Sequence, residues 1–152
     1  MKRTIFCRVI VALMVGLPAL PVHAADQASP AAAQVMAERA ASFLRLHRAD
    51  PQSAYDAFNS GAQWHDRELY VFVVSADGTM RAHGTMPALI GKATPDMRDV
   101  DGKVITREIW ACAAPCWVDY KWKNPVTGKV VGKLAYVVAV GDVRVVVGAY
   151  KP

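Results

Sequence analysis

A lysine inside an apolar strand is the residue of this chain that most needs a chemical explanation. Lys133 lies within Val130–Val140, a run that predicts a β-strand, and alternation gives it Val131 and Ala135 as neighbours on one face. An unpaired ammonium group is costly to bury. Lys133 should therefore meet either the anion of a ligand or a protein carboxylate such as Asp119.

Aromatic residues concentrate on the two strands of the predicted hairpin that contains Lys133. Four of them are candidates for the walls or hydrogen-bond donors of a pocket: Trp117, Tyr120, Trp122 and Tyr136. Alternation sends Trp117 and Tyr120 to opposite faces, so one pocket takes both only if a bulge re-aims the strand. His83, at the end of another predicted strand, either reaches a pocket mouth or bonds a neighbouring loop.

The first two dozen residues form a predicted secretory signal peptide. Three basic residues precede an apolar run, Val9–Leu20, which is about half the ~20 residues needed to span a bilayer. The sequence predicts cleavage after Ala24, a single mature domain over residues 25–152, and a periplasmic or secreted location; an uncleaved anchor is the alternative. The mature part has no run of Lys and Arg, so nothing indicates nucleic-acid binding.

Two cysteines remain after this segment is removed, Cys112 and Cys116. An even number of cysteines in an oxidising compartment favours a disulfide. The alternative is a metal or redox site, but no histidine lies close in sequence and there is no second cysteine pair. We expect a Cys112–Cys116 disulfide that clips the preceding helix to the hairpin.

Other histidine-containing and acidic stretches give weaker signals. His65–Glu68 could ligate a metal, but a solvated loop before a strand accounts for it better. Asp96, Asp99 and Asp101 resemble part of a calcium loop without its distal glutamate, and we interpret them as a turn. The sequence contains no serine elbow, HExxH motif or phosphate-binding glycine loop. We therefore expect no enzymatic activity, no catalytic residue, no metal and no cofactor.

The predicted elements are two helices, two strands, a short helix and three more strands. The helices are Ala31–Arg48, Pro51–Asn59 and Val104–Cys112, and the strands are Leu69–Ser75, Thr79–His83, Cys116–Lys123, Val130–Val140 and Val143–Tyr150. On the first helix, the predicted apolar face consists of Val35, Ala40, Phe43, Leu44 and Leu46. Strands joined by tight turns imply antiparallel pairing, and helices gathered at one face imply an α+β fold.

Five pieces of sequence, in a fixed order, carry a family resemblance. They are YVFVVSADGTMRAH, PALIGK, DVDGKVITREI, WVDYKWKNPVTGKVVGKLAYV and VVVGAYK, within about Leu69–Lys151. Their order and spacing resemble the single Cache domains, which are small PAS-like extracytoplasmic sensor modules. The resemblance implies a long N-terminal helix packed on a five-stranded antiparallel sheet, with a pocket on the sheet face that often binds a small carboxylate. Gly84, Lys123 and Gly132 stand where that family commonly has proline.

The resemblance and the candidate residues together predict a binding domain. We expect a stand-alone module that captures a small organic acid or related metabolite, and that either passes the information to a membrane sensor protein or serves as a binder on its own. The expected ligand-binding residues are His83, Trp117, Tyr120, Trp122, Lys133 and Tyr136. The alternative is a protein–protein interaction module that docks through the aromatic hairpin, and an enzyme of small substrates ranks third. No stable membrane insertion of the mature chain is expected.

Overall fold

Three α-helices, two short 3-10 helices and an antiparallel sheet of six strands lie in the part of the chain that the structure, a computed structural model, describes: residues 27–152. The predicted signal segment, residues 1–24, lies outside the described residues. The helices are α1 (Pro30–Leu46), α2 (Pro51–Ser60) and α3 (Ile105–Ala111). The strands are β1 (His65–Asp66), β2 (Leu69–Ser75), β3 (Met80–His83), β4 (Cys116–Lys123), β5 (Val130–Val140) and β6 (Val143–Tyr150). The α+β prediction is confirmed.

Strands β2 and β6 lie in the middle of the sheet. The strand order is β1-β2-β6-β5-β4, and β3 also pairs with β2. The five longer strands match the predicted ones, whereas the two-residue β1 is additional and pairs His65 with Tyr70. Both central strands are rich in valine and buried along nearly their whole length, as expected for strands covered on both faces.

Alanine residues carry much of the contact between α1 and the sheet. The helix begins after Ser29, whose Oγ accepts a hydrogen bond from the Ala32 N–H at 3.1 Å, and Pro30 occupies the first turn. Its buried residues are Ala33, Met36, Ala37, Ala40, Ala41 and Leu44. The predicted apolar face was wrong in part, because Val35 and Leu46 are 56% and 83% exposed. Small side chains suit a helix that lies flat against β5 and β6.

The opposite face of the sheet is covered by α3 and by the connecting segment 84–104, so the expectation that the helices gather at one face was wrong for α3. Helix α3 buries Ile105 and Ile109 completely against apolar side chains of the sheet. The segment is hydrogen-bonded to β3, because Met80 donates to the Lys92 carbonyl at 3.0 Å and accepts from the Gly91 N–H at 2.8 Å. Any ligand on this face would therefore lie between the sheet and this segment.

Strand β4 pairs with β5 alone among the described strands, and a loop covers its other edge. One carboxylate oxygen of Asp99 accepts a hydrogen bond from the Lys121 N–H at 3.0 Å, and Lys103 Nζ donates to the Asp119 carbonyl at 2.6 Å. The hydrogen bond from the Lys121 N–H lowers the pKa of the Asp99 carboxyl group. The acidic stretch interpreted as a turn thus also protects an edge strand from pairing with other chains.

A disulfide joins Cys112, the residue after α3, to Cys116, the first residue of β4, which confirms the predicted pairing. The two cysteines are 4 residues apart in sequence, with Cα atoms 6.2 Å from each other. In the chain-entropy description, a bond that closes so short a loop constrains the unfolded chain less than one that closes a long loop. The disulfide therefore holds α3 to the hairpin locally.

Reduction of this disulfide should cost little global stability. We expect the free energy of unfolding to fall by no more than about 2 kcal/mol, the low end of the usual range, because the closed loop is short. Urea unfolding with and without a phosphine reductant measures the change. The Cys112→Ser/Cys116→Ser double variant is the control, since the reductant should not affect it. Complete unfolding on reduction would contradict the expectation.

Candidate functional site

Lys133 is completely buried on the face covered by α3 and segment 84–104. Its Nζ donates a hydrogen bond to the Tyr70 hydroxyl at 2.8 Å and lies 4.0 Å from the centroid of the Tyr70 ring, 5.0 Å from that of Tyr150 and 5.7 Å from that of Phe72. Burial lowers the pKa of Lys133, and the Tyr70 hydroxyl partly offsets this. The ammonium group is therefore held by aromatic faces and one phenol.

No carboxylate among residues 27–152 lies within ion-pair distance of Lys133. Asp119, which the sequence offered as a counter-charge, lies on the opposite face of β4 and pairs with Lys151. A buried ammonium group without an acid nearby has lost its hydration and gained only weak compensation. This is the electrostatic condition under which an anionic ligand binds favourably.

Gly148 of β6 makes room for the Lys133 side chain. In the sheet register Lys133 is opposite Tyr150, and Gly148 is opposite Ala135. A Cβ atom at Gly148 would lie 2.5 Å from Lys133 Cε and 2.9 Å from its Cγ. The lysine stem thus crosses β6 at the one place where that strand has no side chain, and reaches Tyr70 on β2.

Three tyrosine hydroxyls accompany Lys133. Tyr120 is opposite Lys133 in the register of β4 and β5 and is 5% exposed. Burial, with a smaller effect of Tyr70, raises the pKa of Tyr120 well above its usual value. Burial likewise raises the pKa of Tyr150, whose hydroxyl donates to the Lys123 carbonyl at 2.8 Å. Both tyrosines therefore remain protonated. Tyr150 already donates its hydrogen bond to the Lys123 carbonyl, so Tyr120 is the neutral donor of this pair that remains for a ligand.

His83 is buried beside the same aromatic residues. Its ring lies 5.0 Å from the Tyr70 ring and 5.7 Å from that of Phe72. Nδ1 is within hydrogen-bond distance of the backbone N–H groups of Thr85 and Met86, at 3.3 and 3.0 Å. Since Nδ1 accepts these bonds, we assign the ring proton to Nε2. Burial, followed by the charge of Lys133, lowers the pKa of His83 to about 3, so the imidazole is neutral.

The structure brings together four of the six predicted ligand-binding residues. Lys133, Tyr120 and His83 share the buried face, and Trp122 packs at the edge of the same group with its ring 6.4 Å from that of Tyr120. The other two lie on the opposite face. Tyr136 is packed in the cluster beneath α1, and Trp117 lies against Tyr136 at 4.7 Å with 38% of its surface exposed. The pairing of β4 with β5 is regular, so no bulge brings the two sets together.

Four residues outside the predicted set complete this arrangement: Tyr70, Phe72, Gly148 and Tyr150. Tyr70 and Phe72 alternate along β2, and that pattern alone does not distinguish a site wall from an ordinary core. Gly148 carried a usable signal, because a glycine within a valine-rich strand often marks a close approach by another group. We call the group formed by Lys133, His83 and the four residues Tyr70, Phe72, Tyr120 and Tyr150 the inner site.

His65 accounts for one departure from the family pattern. Its Nε2 lies 2.9 Å from the Gly84 carbonyl oxygen, and a Cβ at Gly84 would be 2.6 Å from that nitrogen. A proline at this position would clash with the imidazole.

The interpretation of His65–Glu68 as a solvated loop was wrong for Glu68, which is 2% exposed and accepts from the Ala28 N–H at 2.6 Å. No cluster of three potential metal ligands occurs among the described residues.

This architecture is that of PAS-like sensor domains. Their antiparallel sheet carries a helical layer on one face, and on the other a long connection covers a buried polar group. The family description "Single Cache domain 2" matches residues 26–150. The chain belongs to this family, as the motif order had indicated. A comparison with curated proteins finds no match.

Solved structures show the same fold. A methyl-accepting chemotaxis protein from Vibrio parahaemolyticus RIMD 2210633 superposes with a TM-score of 0.68 at 20% identity, over 78% of this chain and 85% of that one. A Cache chemosensory domain studied for carboxylic acid recognition gives 0.69 at 20%, over 78% and 90%. A periplasmic sensor domain of a chemotaxis protein gives 0.61 at 23%, over 80% and 90%.

Within residues 27–152, no helix is both long and apolar enough to cross a membrane.

Gly148→Ala should destabilise the protein through the Lys133 stem. We expect a loss of about 1–3 kcal/mol, the usual cost of overpacking, because the new methyl group meets Lys133 and the neighbouring backbone. Gly132→Ala is the matched control, since its Cβ would meet only the exposed Lys151 side chain, at 2.9 Å. Chemical unfolding of both variants measures the difference. Equal losses of unfolding free energy in the two variants would contradict the position of the Lys133 stem against Gly148.

The buried neutral imidazole of His83 predicts a loss of stability in mild acid. The pKa of about 3 lies below the value of about 6.5 in an unfolded chain. The unfolded chain therefore binds the proton more tightly, and stability falls as the pH drops below about 6.5, by up to about 1.4 kcal/mol per pH unit. Thermal melts between about pH 7 and pH 5 measure this. The slope should diminish in His83→Asn and persist in the control His47→Asn; equal slopes in both would refute the assignment.

Proposed function

We propose that this domain is an extracytoplasmic sensor module that binds a small organic carboxylate at the inner site, with Lys133 as the anchor. The observation that carries the proposal is the complete burial of Lys133 without a protein carboxylate among the described residues. A ligand carboxylate would supply the missing counter-charge and would favour the charged form of the lysine. The likeness to a Cache domain studied for carboxylic acid recognition supports the same ligand class.

The composition of the inner site favours one carboxylate over a more highly charged group. Lys133 is its single cation, while the phenols of Tyr70 and Tyr120 and the neutral ring of His83 supply hydrogen bonds without charge. Such neutral donors can orient a carboxylate whose charge Lys133 balances. A phosphate carries up to two charges, and one ammonium group would leave part of that charge buried and unpaired. Trp117 and Tyr136 do not enter this proposal, because they lie on the other face.

The family and the predicted signal peptide support a proposal for the cellular role. A secreted domain of this kind would bind its ligand in the periplasm or outside the cell and report to a membrane sensor protein. We propose binding without chemical conversion of the ligand. The inner site has no activated nucleophile, since neither a serine nor a free cysteine accompanies the neutral His83.

One observation favours a second function, docking of a partner protein. Trp117 is 38% exposed beside Tyr136, on the face of the sheet where α1 packs against β5 and β6. An exposed tryptophan is a common anchor of protein interfaces. This patch and the inner site lie on opposite faces of the sheet, so ligand binding and docking are separable by mutation.

Lys133→Met tests the carboxylate anchor, because methionine keeps most of the stem and removes the charge. The probes are acetate, propionate, pyruvate and lactate in thermal melts, where a ligand at 100 times its dissociation constant stabilises by about 2.7 kcal/mol. We expect the variant to lose about 2–5 kcal/mol of binding free energy. Its stability without ligand should hold or rise, because a poorly compensated buried charge is gone.

Lys151→Met is the control, since Lys151 is an exposed lysine that pairs with Asp119 on the other face. It should leave every ligand-induced shift unchanged. An unchanged shift in Lys133→Met would rule out the anchor. The absence of any shift in the wild-type protein with these acids and their longer homologues would rule out carboxylate binding, and Trp117→Ala would then be examined for loss of partner binding.

A further inference from the structure

An apolar cleft opens on the surface beside the inner site. It has a volume of about 310 Å³ and lies between segment 84–104 and the β4–β5 hairpin. Its apolar walls are Met86 and Val100 on one side and Trp122 and Val130 on the other. Met86, Val100 and Val130 are 37%, 66% and 49% exposed, so three large apolar side chains face water around one concave surface. We call this surface the outer cleft.

The outer cleft adjoins the inner site through three separate residues. Met86 donates its backbone N–H to His83 Nδ1 at 3.0 Å. The Trp122 ring packs edge-on to Tyr120 at 6.4 Å, and the carbonyl of Lys123, which also lines the cleft, accepts from the Tyr150 hydroxyl at 2.8 Å. Because His83, Tyr120 and Tyr150 all belong to the inner site, the cleft lies directly outside it.

Charge around the outer cleft is predominantly positive. Arg98 and Lys123 line it without an ion-pair partner among the described residues, whereas Lys121 pairs with Asp101 at 2.9 Å and Asp99 is the one acid in the lining. The carboxylate oxygens of Asp99 are already occupied by backbone N–H groups, among them that of Lys121. An anion that approaches Lys133 from this side is therefore attracted towards the cleft before it reaches the inner site.

Tyr150 connects the two places and sets the length of a ligand that would fill both. Lys133 Nζ lies 5.0 Å from the centroid of the Tyr150 ring, and the Tyr150 hydroxyl donates to the carbonyl of Lys123, in the cleft wall, at 2.8 Å. One tyrosine side chain and one hydrogen bond therefore separate the ammonium group from the cleft. A carboxylate with an apolar tail of several carbons spans this separation, and acetate does not.

We propose that the outer cleft is the entrance and the second half of the ligand site, and that it binds the apolar tail of a monocarboxylic acid whose head group meets Lys133. This rests on the proposed function, and it narrows the ligand class from small carboxylates in general to aliphatic or aryl-substituted acids. Trp122 stands at the junction and separates the head-group region from the tail region. The tail covers Met86, Val100 and Val130, which otherwise remain exposed.

Calorimetric titration of the secreted protein with acetate, butanoate, hexanoate and phenylpropionate tests the proposal. Affinity should rise along the aliphatic series by about fourfold per buried methylene, the fold-change that corresponds to about 0.8 kcal/mol. Val130→Glu places a carboxylate in the cleft wall at an exposed position, so it should lower the hexanoate-to-acetate affinity ratio at least about tenfold. Val100→Glu, from the opposite wall, should act in the same direction.

Val126→Glu is the matched control, because Val126 is an exposed valine of the same hairpin that does not line the cleft. It adds the same charge and should leave the affinity ratio unchanged. Two results overturn the proposal while leaving carboxylate binding intact: affinities that do not increase with tail length, or equal ratios in Val130→Glu and Val126→Glu. A wild-type protein that binds none of the four acids overturns the proposed function and this inference together.

Discussion

The cost of burying one ammonium group governs this structure. Lys133 has exchanged water for a phenol and the faces of three aromatic rings, and no described acid balances its charge. Natural proteins accept such a cost where a buried polar group serves a function, since apolar packing at the same place is often at least as stable. The features around Lys133 are therefore best understood as means of holding an available positive charge away from water.

Several parts of the fold serve that single requirement. Gly148 leaves space for the lysine stem to cross β6, so that Nζ reaches Tyr70 on a different strand. Segment 84–104 and α3 exclude water from above, and the disulfide at the end of α3 keeps this layer attached to β4. The Asp99 loop closes the free edge of β4. Each contact is ordinary, but together they form a covered face whose polar groups point inward.

The two faces of the sheet have different roles. On one face, alanines of α1 pack against β5 and β6 in a largely apolar contact, to which Arg45 adds a hydrogen bond to the Ala139 carbonyl. On the face covered by α3, neutral hydrogen-bond donors surround one cation, and an apolar cleft leads outward between Met86 and Trp122. Stability concentrated on one face leaves the other free to carry a costly buried charge.

The sequence by itself determined the strands, because their alternation, turns and β-branched residues are local signals, and the order of motifs identified the family. It also singled out Lys133, since a charge in an apolar run is visible without a structure. Only the tertiary structure decided which residues accompany that charge. Tyr70 is 63 residues away in sequence, and whether Tyr136 or Tyr120 faces the site depends on which side of the sheet α1 covers and which side α3 covers. Strand order and layer packing are set by contacts between distant segments, and no local pattern encodes them.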